Sequence, residues 1–405
     1  MKKIVVTGMG AVTPVGIGVE NYWNNITAGA SGIDTIKTFD PSELAVQIAG
    51  EVKNFNPSDY LIIRKTDPFM QYAYIAAEEA MKQSGIEIEP ERTGIVMGTA
   101  MAGIATIAYT QEALTGASHK KVGPRFIPKI LGNIAAANIA IDYNIQGPSF
   151  TVSTACSSGG DAINTACMCM QSGKADIMLA VGAESVLCPL VIYSLANAKA
   201  LSRRNDSPST ASRPFDVTRD GFVIGEGGGA LVLETEEHAL ARGAKIYAEI
   251  RGCGNTDDAY HVTAPHPEGR GAIACMKQAI AEAGINPSDI GYINAHGTAT
   301  NKGDTVETSS IKKVFGNTLP YVSSTKGATG HMMGAGGITE TITCVKAIET
   351  GTVPPTINLN EVDPECAGID FVANTAKKAE INFAMSNAFG FGGQNSSIIV
   401  GKYGK

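Results

Sequence analysis

The sequence predicts an α/β protein built from two similar halves. Short β-branched runs such as KKIVVTG, TGIVMG, DIMLAVG and SSIIVG alternate with helical stretches such as QYAYIAAEEAMKQ and AIACMKQAIAEA. Continuous apolar runs of this length are typical of strands that helices bury on both faces. A weak internal duplication then divides these elements into two sets.

The duplication consists of three pairs of similar segments that occur in the same order. A helix ending MKQSGI runs into TGIVMGTA, and a second helix ending IAEAGI runs into GYINAHGTA. In each, 13 residues separate the glycine that ends the helix from the glycine near the end of the strand. The other pairs are FTVSTAC at 150–156 with YVSSTKG at 321–327, and GFVIGEGGGALVLE at 221–234 with AFGFGGQNSSIIVG at 388–401. We therefore predict halves at 1–247 and 248–405, with an insertion in the first half at 103–130.

Composition excludes several classes of protein. With 405 residues, of which 44% are hydrophobic and 18% charged, the chain is large enough for packed cores. A formal charge of −7 argues against general nucleic-acid binding, which requires a basic face. The sequence has no run of about 18 apolar residues and no signal peptide, so we expect a cytoplasmic protein. Its eight cysteines form no CxxC pair, and disulfides are not expected.

Two glycine-rich stretches resemble nucleotide-binding motifs but do not fit them. Gly8 and Gly10 follow a strand, yet the glycine spacing is wrong for a dinucleotide fingerprint and Pro14 interrupts the stretch. We interpret this stretch as a glycine-rich turn. GEGGG at 225–229 runs into a strand instead of opening a helix, and nucleotide binding is not predicted.

Cys156 is the candidate nucleophile. It follows strand FTVST and precedes SSGGDAINTA, which is compatible with a helix, so it lies at a strand-to-helix turn. The helix dipole and free amides there favour a thiolate. A dipole energy of about 0.3–2 kcal/mol, however, lowers a thiol pKa by at most roughly 1.5 units from ~8.5. A further partner is therefore needed.

Two of the six histidines are candidates for that partner. His296 follows strand GYINA and His331 follows YVSST, so both leave the carboxyl ends of strands, as Cys156 does. Active sites of open α/β sheets form at that edge. A cysteine and two histidines could instead bind zinc, with Asp304 as a fourth ligand, although short ligand spacing is missing. A zinc- or cysteine-dependent thioester hydrolase thus stays an alternative to an acyl-transferring enzyme.

From GMGAVTPVG to FGFGGQNSS the chain resembles the β-ketoacyl-acyl carrier protein synthases of the thiolase superfamily. TVSTACSSG resembles the family's nucleophile motif, NAHGTATNKGD its first histidine motif, and STKGATGHMMGAGG its lysine and second histidine motif. The resemblance implies a thiolase-like fold of two βαβαβαββ-type halves in α-β-α-β-α layers. It also implies a ping-pong decarboxylative condensation of an acyl group with malonyl-acyl carrier protein, with no cofactor or metal beyond the carrier's phosphopantetheine arm.

The resemblance assigns a role to each site residue. Cys156 would accept the acyl group, His296 and His331 would stabilise the malonyl-derived enolate, and the amides of Cys156 and Phe391 would form the oxyanion hole. Phe391 would also gate the acyl pocket. Further matches are Lys326 as a supporting charge oriented by Glu307, Asp304 and Glu340 as orienting carboxylates, and Thr298 and Thr300 as ligands of the phosphopantetheine arm.

Two motifs and the charge of the chain bear on the pathway and on the partner surface. CSSGGDAI and DTVETSS resemble the ketosynthase subunits of type II polyketide systems more than the fatty-acid enzymes. The family resemblance implies a dimer, either a homodimer or a heterodimer with a chain-length subunit. A non-catalytic chain-length subunit would lack the nucleophile, which is present here. An acidic carrier protein requires a local basic patch on this acidic chain. The candidates are Arg64, Lys65, Lys120, Lys121, Arg125, Arg203 and Arg204.

Overall fold

The computed structural model describes residues 2–56, 66–116 and 122–405. Its strands are β1 Ile4–Thr13, β2 Gly16–Ile17, β3 Asp34–Thr35, β4 Ile48–Ala49, β5 Thr93–Gly98, β6 Ser149–Val152, β7 Ile177–Glu184, β8 Gly227–Thr235, β9 Ala248–Asp257, β10 Ile290–Asn294, β11 Tyr321–Ser323, β12 Thr352–Val353, β13 Asp370–Phe371, β14 Lys377–Lys378, β15 Phe383–Phe389 and β16 Gln394–Gly401. Its helices are α1 Val19–Thr27, α2 Pro68–Ser84, α3 Ile104–Gly116, α4 Phe126–Ile130, α5 Asn133–Tyr143, α6 Ser158–Gln171, α7 Pro189–Asn197, α8 Glu236–Ala241, α9 Arg270–Ala283, α10 Asn301–Phe315, α11 Lys326–Thr329 and α12 Gly336–Thr350.

The strand order repeats itself in mirror image. The main sheet runs β6-β5-β7-β8-β1 and then β9-β16-β15-β10-β11-β13. In each half the first strand pairs antiparallel with the last, and the last pairs antiparallel with its other neighbour, as in β8 with β7 and β16 with β15. The pairs farther from the centre, such as β5 with β6 and β10 with β11, are parallel. Three residue pairs between β1 and β9 join the two halves. The predicted duplication and its βαβαβαββ-type halves are confirmed, and the predicted insertion at 103–130 forms α3 and α4.

Helices and sheet halves form five layers. α2 and α5 cover the outer face of the first half, and α9 covers that of the second. α6 and α12 contact strands of both halves and lie between them. α12 is buried from Gly336 to Ile348, and its buried threonines, Thr339, Thr341 and Thr343, donate their hydroxyls to backbone carbonyl oxygens one turn earlier.

Helix ends also match between the halves. α2 ends at Gly85 and α9 at Gly284, and both glycines adopt the left-handed conformation that terminates helices, with φ of 59° and 67°. These are the two glycines that defined the duplication in the sequence.

The interpretation of Gly8 and Gly10 as a turn is wrong, because β1 continues through both. Their missing side chains serve packing: a Cβ on Gly10 would lie 1.9 Å from the carbonyl oxygen of Ala76 in α2. The second half repeats this contact, since a Cβ on Gly254 of β9 would lie 2.1 Å from the carbonyl oxygen of Cys275 in α9. The glycines let a helix backbone lie directly on a strand.

Among the described residues, no helix combines the length and hydrophobicity that crossing a membrane requires.

We expect Gly10→Ala to destabilise the fold because its methyl group would overlap backbone that cannot move alone. The free energy of unfolding should fall by about 1–3 kcal/mol. Urea denaturation followed by circular dichroism measures it. Gly123→Ala is the matched control, because no atom lies within 4 Å of the position its Cβ would take. Equal midpoints for both variants would contradict the packing role of Gly10.

Candidate active site

The turn between β6 and α6 carries Cys156. Ala155–Ser157 forms one 3-10 turn after the strand, and α6 begins at Ser158. Ala155 adopts φ 51°, a left-handed backbone conformation that costs a non-glycine residue on the order of 1–3 kcal/mol. The sharp strand-to-helix turn predicted from the sequence is therefore present.

The Cys156 thiol is buried, and backbone amides donate to it. The N–H groups of Phe391 and of Cys156 itself lie at the sulfur. Burial raises the pKa of this thiol to about 11, although both amides and the Lys326 charge act to lower it. The thiolate expected at the helix start is therefore not the resting form, because desolvation outweighs the dipole.

Two histidines of the second half face this thiol. His296 follows β10, and His331 lies between α11 and α12. Their rings meet edge to face with centroids 5.3 Å apart. The Cys156 Sγ and one nitrogen of each ring all lie within 4.8 Å of one another. The fold thus brings together three side chains that the sequence separates.

Hydrogen bonding fixes the tautomer of His331. The N–H of Met333 donates to its Nδ1 over 3.3 Å, so the neutral ring carries its proton on Nε2. That Nε2 is buried, and none of the described residues accepts from it. Nδ1 of His296 is also buried without a partner in the described part of the chain. Because an unpaired buried polar atom costs about 1–3 kcal/mol, a substrate oxygen able to pair with these rings would stabilise the site.

Both imidazoles are neutral at pH 7. Burial lowers the pKa of each ring well below 6.5, and the positive charge of Lys326 lowers both further. Neutral rings can donate hydrogen bonds without adding a second positive charge to a dry site.

Lys326 pairs with Glu340 rather than with Glu307. Lys326 is 2% exposed, and its Nζ contacts Oε1 of Glu340 on α12. The expected orientation by Glu307 is wrong, because the two oxygens of Glu307 accept the backbone N–H groups of His296 at 2.8 Å and Gly297 at 2.7 Å. Glu307 therefore fixes the loop that carries His296, and burial raises its pKa to about 7.

Asp304 is committed to backbone and arginine contacts. It accepts the N–H groups of Phe215 at 2.8 Å and Ala299 at 3.2 Å, and Nε of Arg219 lies 3.5 Å from its Oδ2. Burial raises the pKa of Asp304 to about 6. With both oxygens occupied, Asp304 does not serve as the fourth ligand of a zinc site.

Phe391, Thr298 and Thr300 are the predicted gate and the predicted phosphopantetheine ligands of this centre. The Phe391 side chain is 42% exposed and precedes Gly392 and Gly393, which have φ of 90° and 85°. Backbone of that kind is accessible mainly to glycine, and the role of Phe391 as a gate stays a prediction. Thr298 is buried and Thr300 half-buried, with their hydroxyls 3.1 Å apart. Their contact with a phosphopantetheine arm stays a prediction.

Glu184 was not predicted from the sequence. It ends β7 and accepts from the Thr99 hydroxyl at 3.1 Å, the Met101 N–H at 3.0 Å and the Gly334 N–H at 3.2 Å. It therefore links the loop after β5 to the segment after His331. Burial raises its pKa to about 7. The available signal was a carboxylate closing the apolar strand IMLAVGAE, which a buried strand carries only when partners surround it.

Four of the proposed basic docking residues, Arg64, Lys65, Lys120 and Lys121, lie outside the described residues. Arg125 and Arg203 are exposed. Arg204 is half-buried, with its Nη2 donating to the carbonyl oxygen of Thr218 at 2.6 Å and its Nε 3.6 Å from Asp220. Of the three candidates within the described residues, Arg125 and Arg203 are therefore the exposed ones that could meet a partner.

Comparison with known proteins gives one family along most of the chain. Models of the β-ketoacyl synthase N-terminal and C-terminal domains match residues 1–239 and 247–360. A 3-oxoacyl-[acyl-carrier-protein] synthase 2 of Coxiella burnetii is 44% identical over 99% of both chains, and one of Staphylococcus aureus is 42% identical over 99% of both. The solved ishigamide ketosynthase/chain length factor superimposes with a TM-score of 0.92 at 34% identity, covering 100% of both chains.

We expect alkylation of Cys156 by iodoacetamide to accelerate about tenfold per pH unit from pH 7 to pH 10, because the thiolate fraction rises tenfold per unit below a pKa of about 11. Mass spectrometry of the peptide that contains Cys156 measures the rate constant. A plateau that begins below pH 8.5 would show a thiolate at rest and would contradict this reasoning.

Proposed function

Because this chain belongs to the β-ketoacyl synthase family, we propose that it condenses a Cys156-bound acyl group with malonyl-acyl carrier protein, releasing carbon dioxide and 3-oxoacyl-acyl carrier protein. The observation that carries the proposal is the convergence of Cys156, His296 and His331 within 4.8 Å. A buried nucleophile beside two neutral hydrogen-bond donors suits acyl transfer followed by enolate stabilisation.

The first half-reaction is acyl transfer. Sγ of Cys156 attacks the thioester carbonyl of the acyl donor, the carrier's thiol leaves, and the proton of Cys156 ends on that thiol. The negative oxygen of the intermediate lies where the N–H groups of Cys156 and Phe391 converge. Each donor of an oxyanion hole contributes about 2.7–4 kcal/mol to such a step.

The second half-reaction forms the carbon–carbon bond. Malonyl thioester loses carbon dioxide, and the electron pair of the broken bond forms an enolate whose oxygen accepts hydrogen bonds from His296 and His331. The enolate carbon then attacks the acyl carbonyl on Cys156, and Sγ leaves as a thiolate that regains a proton. Since both rings are neutral, the enolate is stabilised by aligned donors instead of by a full positive charge at the ring.

Lys326 acts behind the histidines. Its pairing with Glu340 keeps one positive charge in the buried site and holds both imidazoles in their neutral forms. We assign it a supporting role, because the Glu340 contact commits its ammonium group.

Both substrates arrive on the phosphopantetheine arm of acyl carrier protein, and the proposed reaction uses no further cofactor. We expect a cytoplasmic dimer. Acidic carrier protein would dock beside Arg125 and Arg203, the described basic candidates that are exposed.

A second assignment concerns the pathway. The likeness to the ishigamide ketosynthase/chain length factor favours a ketosynthase subunit that pairs with a chain-length subunit. The identity to synthases named 3-oxoacyl-[acyl-carrier-protein] synthase 2 is higher, at 42–44%, and favours fatty acid elongation by a homodimer.

Incubation with acyl-carrier protein should add one acyl group to Cys156. Intact-mass spectrometry detects it, and malonyl-carrier protein should then convert it to 3-oxoacyl-carrier protein. Cys156→Ala should take no acyl group, whereas Cys275→Ala, which changes a fully buried thiol of α9, should behave as wild type. Release of free acid without malonyl-carrier protein would instead indicate the thioester hydrolase, and an unmodified wild-type chain would refute the proposal.

Arg203→Glu should raise the KM for carrier-bound donor about three- to tenfold, because a like charge would then face the acidic carrier. The KM for a small pantetheine thioester should stay unchanged. Lys277→Glu, the same charge change at an exposed position of α9, serves as the control. Steady-state kinetics measure both constants. Equal increases for both substrates would place Arg203 outside the docking surface.

A further inference from the structure

Asp161 is a buried carboxylate one helical turn beyond the nucleophile. It lies in the first turn of α6 and is 5% exposed. Its Oδ2 accepts the Thr154 hydroxyl at 2.5 Å, and its Oδ1 accepts Nδ2 of Asn255 at 2.7 Å. None of the steps described above uses it.

The two oxygens of Asp161 hold two different parts of the chain. Thr154 belongs to the nucleophile turn of the first half, and Asn255 belongs to β9 of the second half. Burial raises the pKa of Asp161, and the hydrogen bonds from Thr154 and Asn255 act in the opposite direction. A carboxylate is costly to bury, so its donors and its place at a helix start indicate a specific use.

Thr154 is the anchor of the nucleophile turn. Its N–H donates to the Ser158 hydroxyl at 2.9 Å, and its carbonyl oxygen accepts the Ser157 N–H at 3.2 Å. Those bonds stay within the turn and its helix. The hydrogen bond from its side chain to Asp161 ties Thr154 to α6 a second time, three residues further along the helix than Ser158. The next residue, Ala155, is the one with the left-handed backbone.

The position of Thr154 also sets the oxyanion donors. A Cβ on Gly390 would lie 2.8 Å from the Thr154 carbonyl oxygen and 3.2 Å from the Cys156 nitrogen. The backbone that leads into Phe391 therefore rests directly on the nucleophile turn. A displacement of Thr154 would change the distance between Sγ of Cys156 and the Phe391 amide.

We propose that Asp161 is a positioning residue for acyl transfer, which holds the strained Cys156 turn against the Phe391 amide through the Thr154 hydroxyl. The hydrogen bond from Asn255 fixes the position of this turn relative to the second half. The inference rests on the proposed role of Cys156 as acyl acceptor. Acylation requires a hydrogen-bond acceptor for the Thr154 hydroxyl at this position. It does not require the negative charge of Asp161.

The test compares variants that keep or remove that acceptor. Asp161→Leu removes it at similar volume, and we expect the rate constant for acylation of Cys156 to fall at least about tenfold, since small misplacements of reacting groups cost this much or more. Asp161→Asn keeps an acceptor and should stay within about threefold of wild type. The KM for the carrier-bound donor should change less than about twofold in both. Rapid-quench intact-mass spectrometry gives the rate constants.

Substitutions at Thr154 test the same contact from its other end. Thr154→Val should match Asp161→Leu, and Thr154→Ser, which keeps the hydroxyl, should retain activity. Thr151→Val is the matched control, because the Thr151 hydroxyl is buried without a partner among the described residues. The double variant Asp161→Leu/Thr154→Val should be no slower than the slower single variant, because each single change already abolishes the hydrogen bond between Thr154 and Asp161.

Three results would overturn the inference: Asp161→Leu acylated at the wild-type rate, Thr154→Val no slower than Thr151→Val, or single effects that multiply in the double variant. If Asp161→Leu does not fold, the Thr154 pair decides alone. A wild-type chain that takes no acyl group would refute the proposed function itself, and with it the positioning role. If the wild-type chain is acylated and the variants react at the wild-type rate, only the role of Asp161 is refuted.

Discussion

Contact between the backbones of two helix starts, one from each half, is the constraint on which the site depends. Gly159 and Gly160 lie in the first turn of α6, after Cys156, and Gly337 lies in the first turn of α12, after His331. A Cβ on Gly337 would lie 2.3 Å from the Gly160 nitrogen. Only glycine permits this approach, and it brings the turn with the thiol and the turn with the histidine to the same point. Larger residues would separate the halves and open the site.

Burial between the two halves of the sheet then determines the protonation of the site residues. It keeps the Cys156 proton on sulfur and both imidazoles neutral, so that Lys326 and its carboxylate partner supply the fixed charges near the reacting atoms. Aligned donors in a dry site stabilise developing negative charge better than mobile water does, because they need no reorganisation. The cost is that the thiol must lose its proton during the reaction instead of before it.

The sequence predicts the fold and the meeting of Cys156, His296 and His331, because strand ends and helix-ending glycines are local features. It fails where tertiary contact decides. The glycines of β1 resemble a turn in the sequence because the helix they contact, α2, lies some 70 residues further along the chain. Lys326 was assigned to Glu307 because no local pattern tells which of two buried carboxylates a lysine meets. The sequence does not indicate Glu184 or Asp161 for the same reason, since each has a partner in a distant segment, the Gly334 N–H for Glu184 and the side-chain amide of Asn255 for Asp161.

The mirror arrangement of the strands has a consequence for how such an enzyme could evolve. The turn after β6 and the turn after β11 occupy equivalent places, yet one holds the sulfur and the other holds His331. The turns after β5 and β10 are equivalent too, and there one supplies the Thr99 hydroxyl to Glu184 while the other supplies His296. Duplication of a gene that encodes one half would leave each copy free to lose a catalytic side chain that the other copy keeps. Two duplicated halves that contribute different side chains thus form an asymmetric site within a symmetric fold.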